Sequence, residues 1–258
     1  MRSVLVACLT SVLLLTSGCA SLSGQPGQPD YAVEAESNLR LGREALESKD
    51  WLRAEQYFEY VRQKFPYLEA AKEAELLLAD VDFDRGLYLE ARERYESFVK
   101  LYPTHPQVDY AAYRAALSHV KDYPSEFFAL PPSEEKDQTE IRNALVAMSA
   151  FVKQYPTSQY AKEAQGHLEV ARRRLAEHEL YAAAFYKKRE HWKGVIQRLE
   201  GMLKKYPGVP QEEEALFMLH DAYLKLNDTA KAQEALKRVM ERFPGTPAAE
   251  RAKRMLGS

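Results

Sequence analysis

The chain has 258 residues, and its 36 Lys and Arg against 38 Asp and Glu give a formal net charge of −2. This near-neutral balance excludes general electrostatic binding to nucleic acid, and 46% hydrophobic with 29% charged residues excludes general disorder. Glycine is scarce while Ala, Glu, Lys, Arg and Leu recur, which favours helix over sheet.

The chain begins with a segment typical of secreted proteins. Arg2 precedes an uncharged stretch at residues 4–16, which is shorter than the about 20 residues of a membrane span. The stretch leads into Thr-Ser-Gly before Cys19, a run that resembles a bacterial lipobox. We predict a signal peptide at 1–18 and lipidation of Cys19, with an ordinary secretory signal as the alternative. Ala20 after the cysteine resembles the sorting pattern for the outer membrane, on its periplasmic face.

Residues 19–30 connect this anchor to the folded body. Gly, Pro, Ser and Gln dominate the segment and no apolar residue repeats in it. Such a composition predicts a flexible tether. The only attachment to the membrane that we expect is therefore the lipid on Cys19.

Aromatic–proline pairs divide the rest of the chain into segments. Each proline ends an apolar-periodic run, since the residue before a proline avoids the α region. The intervals between the prolines are 37, 53, 51 and 37 residues, which indicates a helical solenoid of tetratricopeptide (TPR) type. The five pairs are Phe65-Pro66, Tyr102-Pro103, Tyr155-Pro156, Tyr206-Pro207 and Phe243-Pro244.

Each proline also has the TPR pattern upstream of it. In the first repeat, Gly42 allows two antiparallel helices to approach and Phe58 fills the space beside it. In the fifth repeat His220 replaces the small residue. We predict an all-α solenoid of five TPR-like repeats, with a non-repeat helical bundle as the alternative.

The two long intervals predict where the repeats differ. The first has 16 extra residues, which fit a proline-rich loop inserted in repeat three at 122–137. Its Phe127 and Phe128 either fold back on the solenoid or dock a partner. The second has 14 extra residues without a break, which predicts one long helix in repeat four from about residue 158 to residue 189. We assign repeats one to three to 31–156, and repeats four and five with a capping helix to 157–258.

No catalytic or ligand-binding motif is present. The six histidines form no HExxH pair, and the chain has no GxSxG, phosphate loop or GxGxxG. We therefore predict no metal site, no cofactor and no enzymatic activity. The residues that suggest an interface are the aromatics Tyr181, Phe185, Tyr186 and Trp192 together with Arg198, because Tyr, Trp and Arg prevail at binding hot spots.

Four short runs identify a family resemblance. Residues 102–114 contain a PTHP-x-x-DY run, 155–160 read YPTSQY, 198–203 read RLEGML, and Phe127-Phe128 lies in the insertion. These runs resemble the BamD (also called ComL) family, lipoproteins of the outer-membrane β-barrel assembly machinery. The YLEAAKEA run after Pro66 departs from the family's usual turn.

The resemblance implies a non-catalytic scaffold with several partners. The C-terminal repeats of the family hold the periplasmic domains of the Omp85-type barrel BamA, and Arg198 matches the arginine that pairs with an acidic residue there. We place Glu200 and Tyr186 in the same BamA-binding set. The N-terminal repeats receive unfolded outer-membrane β-barrel proteins, and Phe65 and Lys100 match positions near the proposed pocket for their C-terminal β-signal. Other Bam lipoproteins are further expected partners.

Two other classes of protein stay open at this point. A generic periplasmic TPR adaptor lipoprotein of the cell-envelope or peptidoglycan machinery is the main alternative. Such adaptors usually carry a coiled coil or a free N-terminus, and no sustained heptads appear here. A peptidoglycan-cleaving lipoprotein is disfavoured because the catalytic residues are missing.

Overall fold

The computed structural model describes residues 29–124 and 131–257. The predicted signal peptide, Cys19 and most of the tether lie outside the described residues, as do Phe127 and Phe128. No helix in the described ranges is long and apolar enough to cross a membrane.

The described part of the chain is a stack of antiparallel helices, each packed mainly on its predecessor and its successor. The predicted all-α TPR solenoid is confirmed. Its A and B helices are α1 (Ala35–Glu47) and α2 (Trp51–Lys64), α3 (Glu69–Asp84) and α4 (Tyr88–Leu101), α5 (Val108–Lys121) and α6 (Thr139–Gln154), α7 (Ala161–Lys188) and α8 (Trp192–Lys205), and α9 (Glu212–Lys225) and α10 (Thr229–Arg242), followed by the cap α11 (Pro247–Leu256).

The long helix of repeat four forms as the sequence predicts. It is α7, whose 28 residues make it twice as long as the 14-residue α8 that follows. The capping helix α11 begins at Pro247, and the Thr246 side chain accepts a hydrogen bond from the Ala249 backbone N–H. Proline suits the first turn of a helix because backbone N–H groups there have no intrahelical acceptor, so the N–H that proline lacks costs no hydrogen bond.

The turns from A helix to B helix share one backbone feature that was not predicted from the sequence. A residue with positive φ stands 17 positions before the proline in repeats one, two, four and five. Only repeat two uses glycine, which adopts this conformation without strain. The four residues are Lys49, Gly86, Glu190 and Asn227, with φ of 61°, 79°, 55° and 59°.

The small residue of the TPR pattern allows the two helices of a repeat to pack closely. Phe58 is fully buried, and a Cβ placed on Gly42 would lie 2.4 Å from the Phe58 Cε1 atom. In repeat five, His220 occupies the position of the small residue. Its buried ring lies with Nδ1 3.1 Å from the backbone oxygen of Ala232, so the imidazole N–H donates across the helix pair.

The buried core of the described residues consists of three clusters, and two of them include a residue from a helix of the neighbouring repeat. Ile141 of α6 belongs to the buried cluster formed by α7 to α11, and Ala164 of α7 belongs to the cluster formed by α3 to α6. Buried residues therefore cross the boundary between 31–156 and 157–258, and that division stays a prediction from the sequence.

The end of the repeat-three insertion rests on the long helix. A short 3-10 turn, Ser133–Glu135, contacts α7. The His178 Nδ1 lies 2.7 Å from the backbone oxygen of Glu134, and the Tyr181 hydroxyl donates to the Glu135 carboxylate. The described end of the insertion thus folds back, which connects repeat three to repeat four.

Candidate partner-binding surfaces

Two of the family-like runs meet in space. The Ser158 hydroxyl donates to Asp109 Oδ2 at 2.7 Å. The rings of Tyr113 and Tyr160 stack with centroids 4.9 Å apart and an interplanar angle of 5°. These motif residues bind each other across α5 and the turn before α7, so their role in this molecule is structural.

A buried polar centre that was not predicted from the sequence lies next to them. Asp80 Oδ1 accepts hydrogen bonds from the hydroxyls of Tyr95 at 2.5 Å and Tyr110 at 2.7 Å. Arg114 Nη2 lies 3.6 Å from Asp80, and its guanidinium stacks on Phe83 at 3.7 Å. Burial raises the pKa of the Asp80 carboxyl, although the two hydroxyls and Arg114 oppose the shift. The only signal in the sequence was the DYAAYR run, which contains Tyr110 and Arg114.

The two residues assigned to the β-signal lie near the C-terminal ends of the B helices of consecutive repeats, one residue before the repeat's proline for Phe65 and three before it for Lys100. Phe65 directly follows α2, is half-buried and packs edge-on against Tyr60, with centroids 6.2 Å apart. Lys100 is the penultimate residue of α4 and is exposed. The groove that Lys100 lines does not include Phe65.

Lys100 stands at the rim of an apolar groove of about 260 Å³ between α4, α5 and α6. Alanines from α5 and α6 line the groove with the rings of Phe151 and Tyr155. Glu96 and Gln154 are the other polar residues at it. An apolar interior with a cation at its edge suits an apolar side chain next to a carboxylate.

Arg198 is held in place by α7. Its Nη1 lies 3.2 Å from Glu179 Oε2, and the Arg198 side chain is 41% exposed while that of Glu179 is 16% exposed. The hydrogen bond to Glu179 raises the pKa of Arg198 above its ordinary value, and a hydrogen bond with Tyr186 adds to this shift. The structure therefore brings Arg198 and Tyr186 together, with one side of the guanidinium open.

Glu200 faces repeat five and not α7. It accepts two hydrogen bonds from Arg238 Nη1, at 3.1 and 3.3 Å, and one from the Tyr223 hydroxyl at 3.4 Å. Residues two apart on a helix do not share a face. In this structure Glu200 links repeat four to repeat five, while Arg198 faces α7.

The aromatic residues near Arg198 divide into two groups. Tyr181 and Phe185 on α7 are 41% and 46% exposed. Tyr186 and Trp192 are half-buried against the C-terminal core. The described residues contain no group of three His, Cys, Asp or Glu side chains that could hold a metal ion.

The amino-acid sequence was compared with protein families and with known proteins. The family model YfiO, described as "Outer membrane lipoprotein", matches residues 33–238. The outer membrane protein assembly factors BamD of Haemophilus influenzae and Vibrio cholerae are each 28% identical, over 92% and 90% of this chain and 90% and 95% of their own. The BamD of Buchnera aphidicola is 34% identical over 55% of this chain and 59% of its own.

Among solved structures, the TPR2AB domain of yeast Sti1 in its pHSP90 complex is 12% identical and has a TM-score of 0.43, with 86% of this chain and 82% of that chain covered. The match of the family model over most of the chain decides the family. The chain therefore belongs to the YfiO/BamD family, and it is an outer membrane protein assembly factor rather than an enzyme.

Proposed function

We propose that this protein is a lipid-anchored scaffold that holds the periplasmic domains of BamA and receives unfolded outer-membrane β-barrel precursors. Cys19 carries the anchor, the repeats face the periplasm, and other Bam lipoproteins bind the same scaffold. The role in outer-membrane protein assembly follows from membership of the family. We propose in addition the two partners and the sites that bind them.

The observation that carries the BamA contact is the position of Arg198. Glu179 and Tyr186 fix its guanidinium before any partner arrives, which lowers the entropy lost on binding. A planar arginine suits a carboxylate better than a flexible lysine does. The acidic residue of the partner shares the guanidinium with Glu179 at its open side.

Replacing Arg198 by alanine is expected to weaken binding of purified BamA periplasmic domains at least tenfold, because the partner carboxylate loses its cation. Biolayer interferometry with the mature protein measures the affinity. Alanine is preferred to glutamate, since a glutamate at 198 would face Glu179 and repel it. Arg40→Ala is the matched control, as Arg40 pairs with Glu44 on the exposed face of repeat one. Equal affinity of Arg198→Ala and the parent contradicts the proposed contact.

The observation that supports precursor binding is the groove at Lys100. Its apolar interior accepts the terminal aromatic ring of a β-signal, and Lys100 binds the terminal carboxylate. Phe65 lies one repeat away, so we assign to it an earlier part of the same extended segment.

A peptide that ends in phenylalanine with a free carboxylate is expected to bind about fivefold tighter than its C-terminal amide, equivalent to about 1 kcal/mol for a partly exposed ion pair. Lys100→Gln is expected to abolish this difference, and fluorescence anisotropy measures it. Lys153→Gln, on the exposed side of α6, is the control. If the preference for the free carboxylate survives in Lys100→Gln, Lys100 does not bind the terminus.

A further inference from the structure

We infer that the end of α7 and the turn into α8 form a docking surface for an acidic protein face, with Phe185 as its apolar anchor. The inference rests on the proposed contact of Arg198 and extends that contact to the tip of the helix pair. We call this the hairpin-tip surface, and it consists of Phe185, Lys188, Arg189, Lys193 and Arg198.

An ordered stack forms the centre of this surface. The Phe185 ring is 46% exposed, and the Arg189 guanidinium lies 3.5 Å from its centroid. Arg189 Nη1 also lies 3.3 Å from the Phe185 backbone oxygen, to which it donates. The arginine is thereby folded back along the end of α7, where a cation suits the helix C-terminus. Ring and guanidinium together present a rigid surface that loses little freedom on binding.

The stack is continuous with Arg198. Phe185 packs edge-on against Tyr186, with centroids 5.8 Å apart and an angle of 81°. Tyr186 in turn is close enough to Arg198 to raise the pKa of its guanidinium. A partner that reaches Arg198 on α8 therefore meets Phe185 on α7 within the same contact area.

The charge of the surface selects the partner. Residues 187–193 read KKREHWK, with four Lys or Arg against one Glu, in a chain whose net charge is −2. Lys187 lies 3.6 Å from Asp221, so three cations remain for an incoming ligand. An acidic surface is the electrostatic complement, and it would be steered to this tip at low salt.

A protein face fits these observations better than a lipid surface. Membrane-binding segments present a broad apolar face with several inserted residues. Here Tyr181 and Phe185 are the two exposed rings of this stretch, and the Tyr181 hydroxyl donates to Glu135, so Phe185 is the one of the two that has no polar group of its own. A single apolar ring flanked by cations is complementary to an apolar pocket bordered by carboxylates, and central anchor residues of protein interfaces bind in such pockets.

Glu190 provides a sharp electrostatic test. It is exposed at the tip, among the cations, with φ of 55°. Glu190→Gln removes the negative charge and keeps a side chain of the same shape. An acidic partner should therefore associate with this variant faster than with the parent protein, and the difference should disappear at high salt.

The experiment measures association and dissociation rates of purified BamA periplasmic domains with the mature protein and its variants. Phe185→Ala is expected to weaken binding at least tenfold, mainly through faster dissociation, with an unchanged melting temperature because the ring is exposed. Glu190→Gln is expected to raise the association rate two- to threefold at low salt. Tyr67→Ala, which removes a 98% exposed ring in another repeat, is the control and should bind as the parent does.

Three outcomes overturn the inference. If Arg198→Ala weakens binding and Phe185→Ala does not, the anchor is wrong while the proposed BamA contact stands. If neither variant weakens binding, both fail. If Phe185→Ala leaves BamA binding intact but abolishes binding to vesicles of phosphatidylethanolamine with 30% phosphatidylglycerol, the surface is a lipid-binding one.

Discussion

Replacing Arg114 by methionine is expected to lower the free energy of unfolding by about 3–5 kcal/mol, the cost of removing one partner of a buried ion pair. The Arg114 and Asp80 side chains are 18% and 13% exposed, so Asp80 would keep its charge with little water around it. Methionine retains contact with Phe83, which limits the change to the lost charge and hydrogen bonds. Urea unfolding followed by circular dichroism measures the difference.

The same variant has a predicted pH dependence. Burial raises the folded-state pKa of Asp80 above that of the unfolded chain, and Arg114 opposes this shift. Such a carboxyl favours folding below its unfolded pKa, and the advantage is lost as pH rises through the folded pKa. Without Arg114 the folded pKa rises further, so the deficit of Arg114→Met should be largest near neutral pH and shrink as the solution is acidified.

A second substitution tests the assignment to this pair. Asp80→Asn in the Arg114→Met background removes the stranded charge and can still accept from Tyr95 and Tyr110. The double variant should recover most of the lost stability, and the additional pH dependence that Arg114→Met introduces should disappear with the Asp80 carboxyl. A deficit that stays constant with pH, or a double variant no better than the single one, would contradict the buried pair.

Gly42→Ala is expected to destabilise the protein by about 1–3 kcal/mol through overpacking, despite the higher helix propensity of alanine. The new methyl group would stand 2.4 Å from the ring of Phe58, which is fully buried and has no free direction in which to move. Because α1 and α2 would separate, the loss should appear as a lower melting temperature of the whole solenoid or as early unfolding of repeat one.

Gly166→Ala is the matched control, with the opposite sign. Gly166 lies inside α7, and a Cβ there would meet no atom within 4 Å. Alanine should therefore stabilise the helix by about 0.5–1 kcal/mol. Thermal and urea unfolding of both variants give the comparison, and a Gly42→Ala protein as stable as the parent would show that the repeat tolerates wider helix spacing.

Arg198 and Glu200 belong to one family-like run but have different surroundings in the structure. The RLEGML run places Arg198 and Glu200 two residues apart, and the family resemblance puts both in one BamA-binding set. In the structure Arg198 forms an ion pair with Glu179 of α7, whereas Glu200 forms an ion pair with Arg238 of α10. A short motif therefore does not give a shared surface, and each residue of it needs its own test.

The sequence by itself determined the series of helix pairs that the chain forms, their order, and which of the helices is unusually long. The proline positions, the helical periodicity of the apolar residues and the 14 residues added before Pro207 are local signals. They act through the backbone geometry of neighbouring residues and need no contact with a distant part of the chain. The same local signals predicted the capping helix at Pro247 and the small residue Gly42 beside Phe58.

Only the tertiary structure decided which side chains meet. Glu179 is 19 residues from Arg198, and Asp80 is 34 residues from Arg114, so their contacts depend on how neighbouring helices are packed and rotated. The groove beside Lys100 likewise forms from three helices whose surfaces are combined only after packing. Sequence patterns report which face of a helix is buried, while the distance and angle between two helices are set by the side chains that interlock between them.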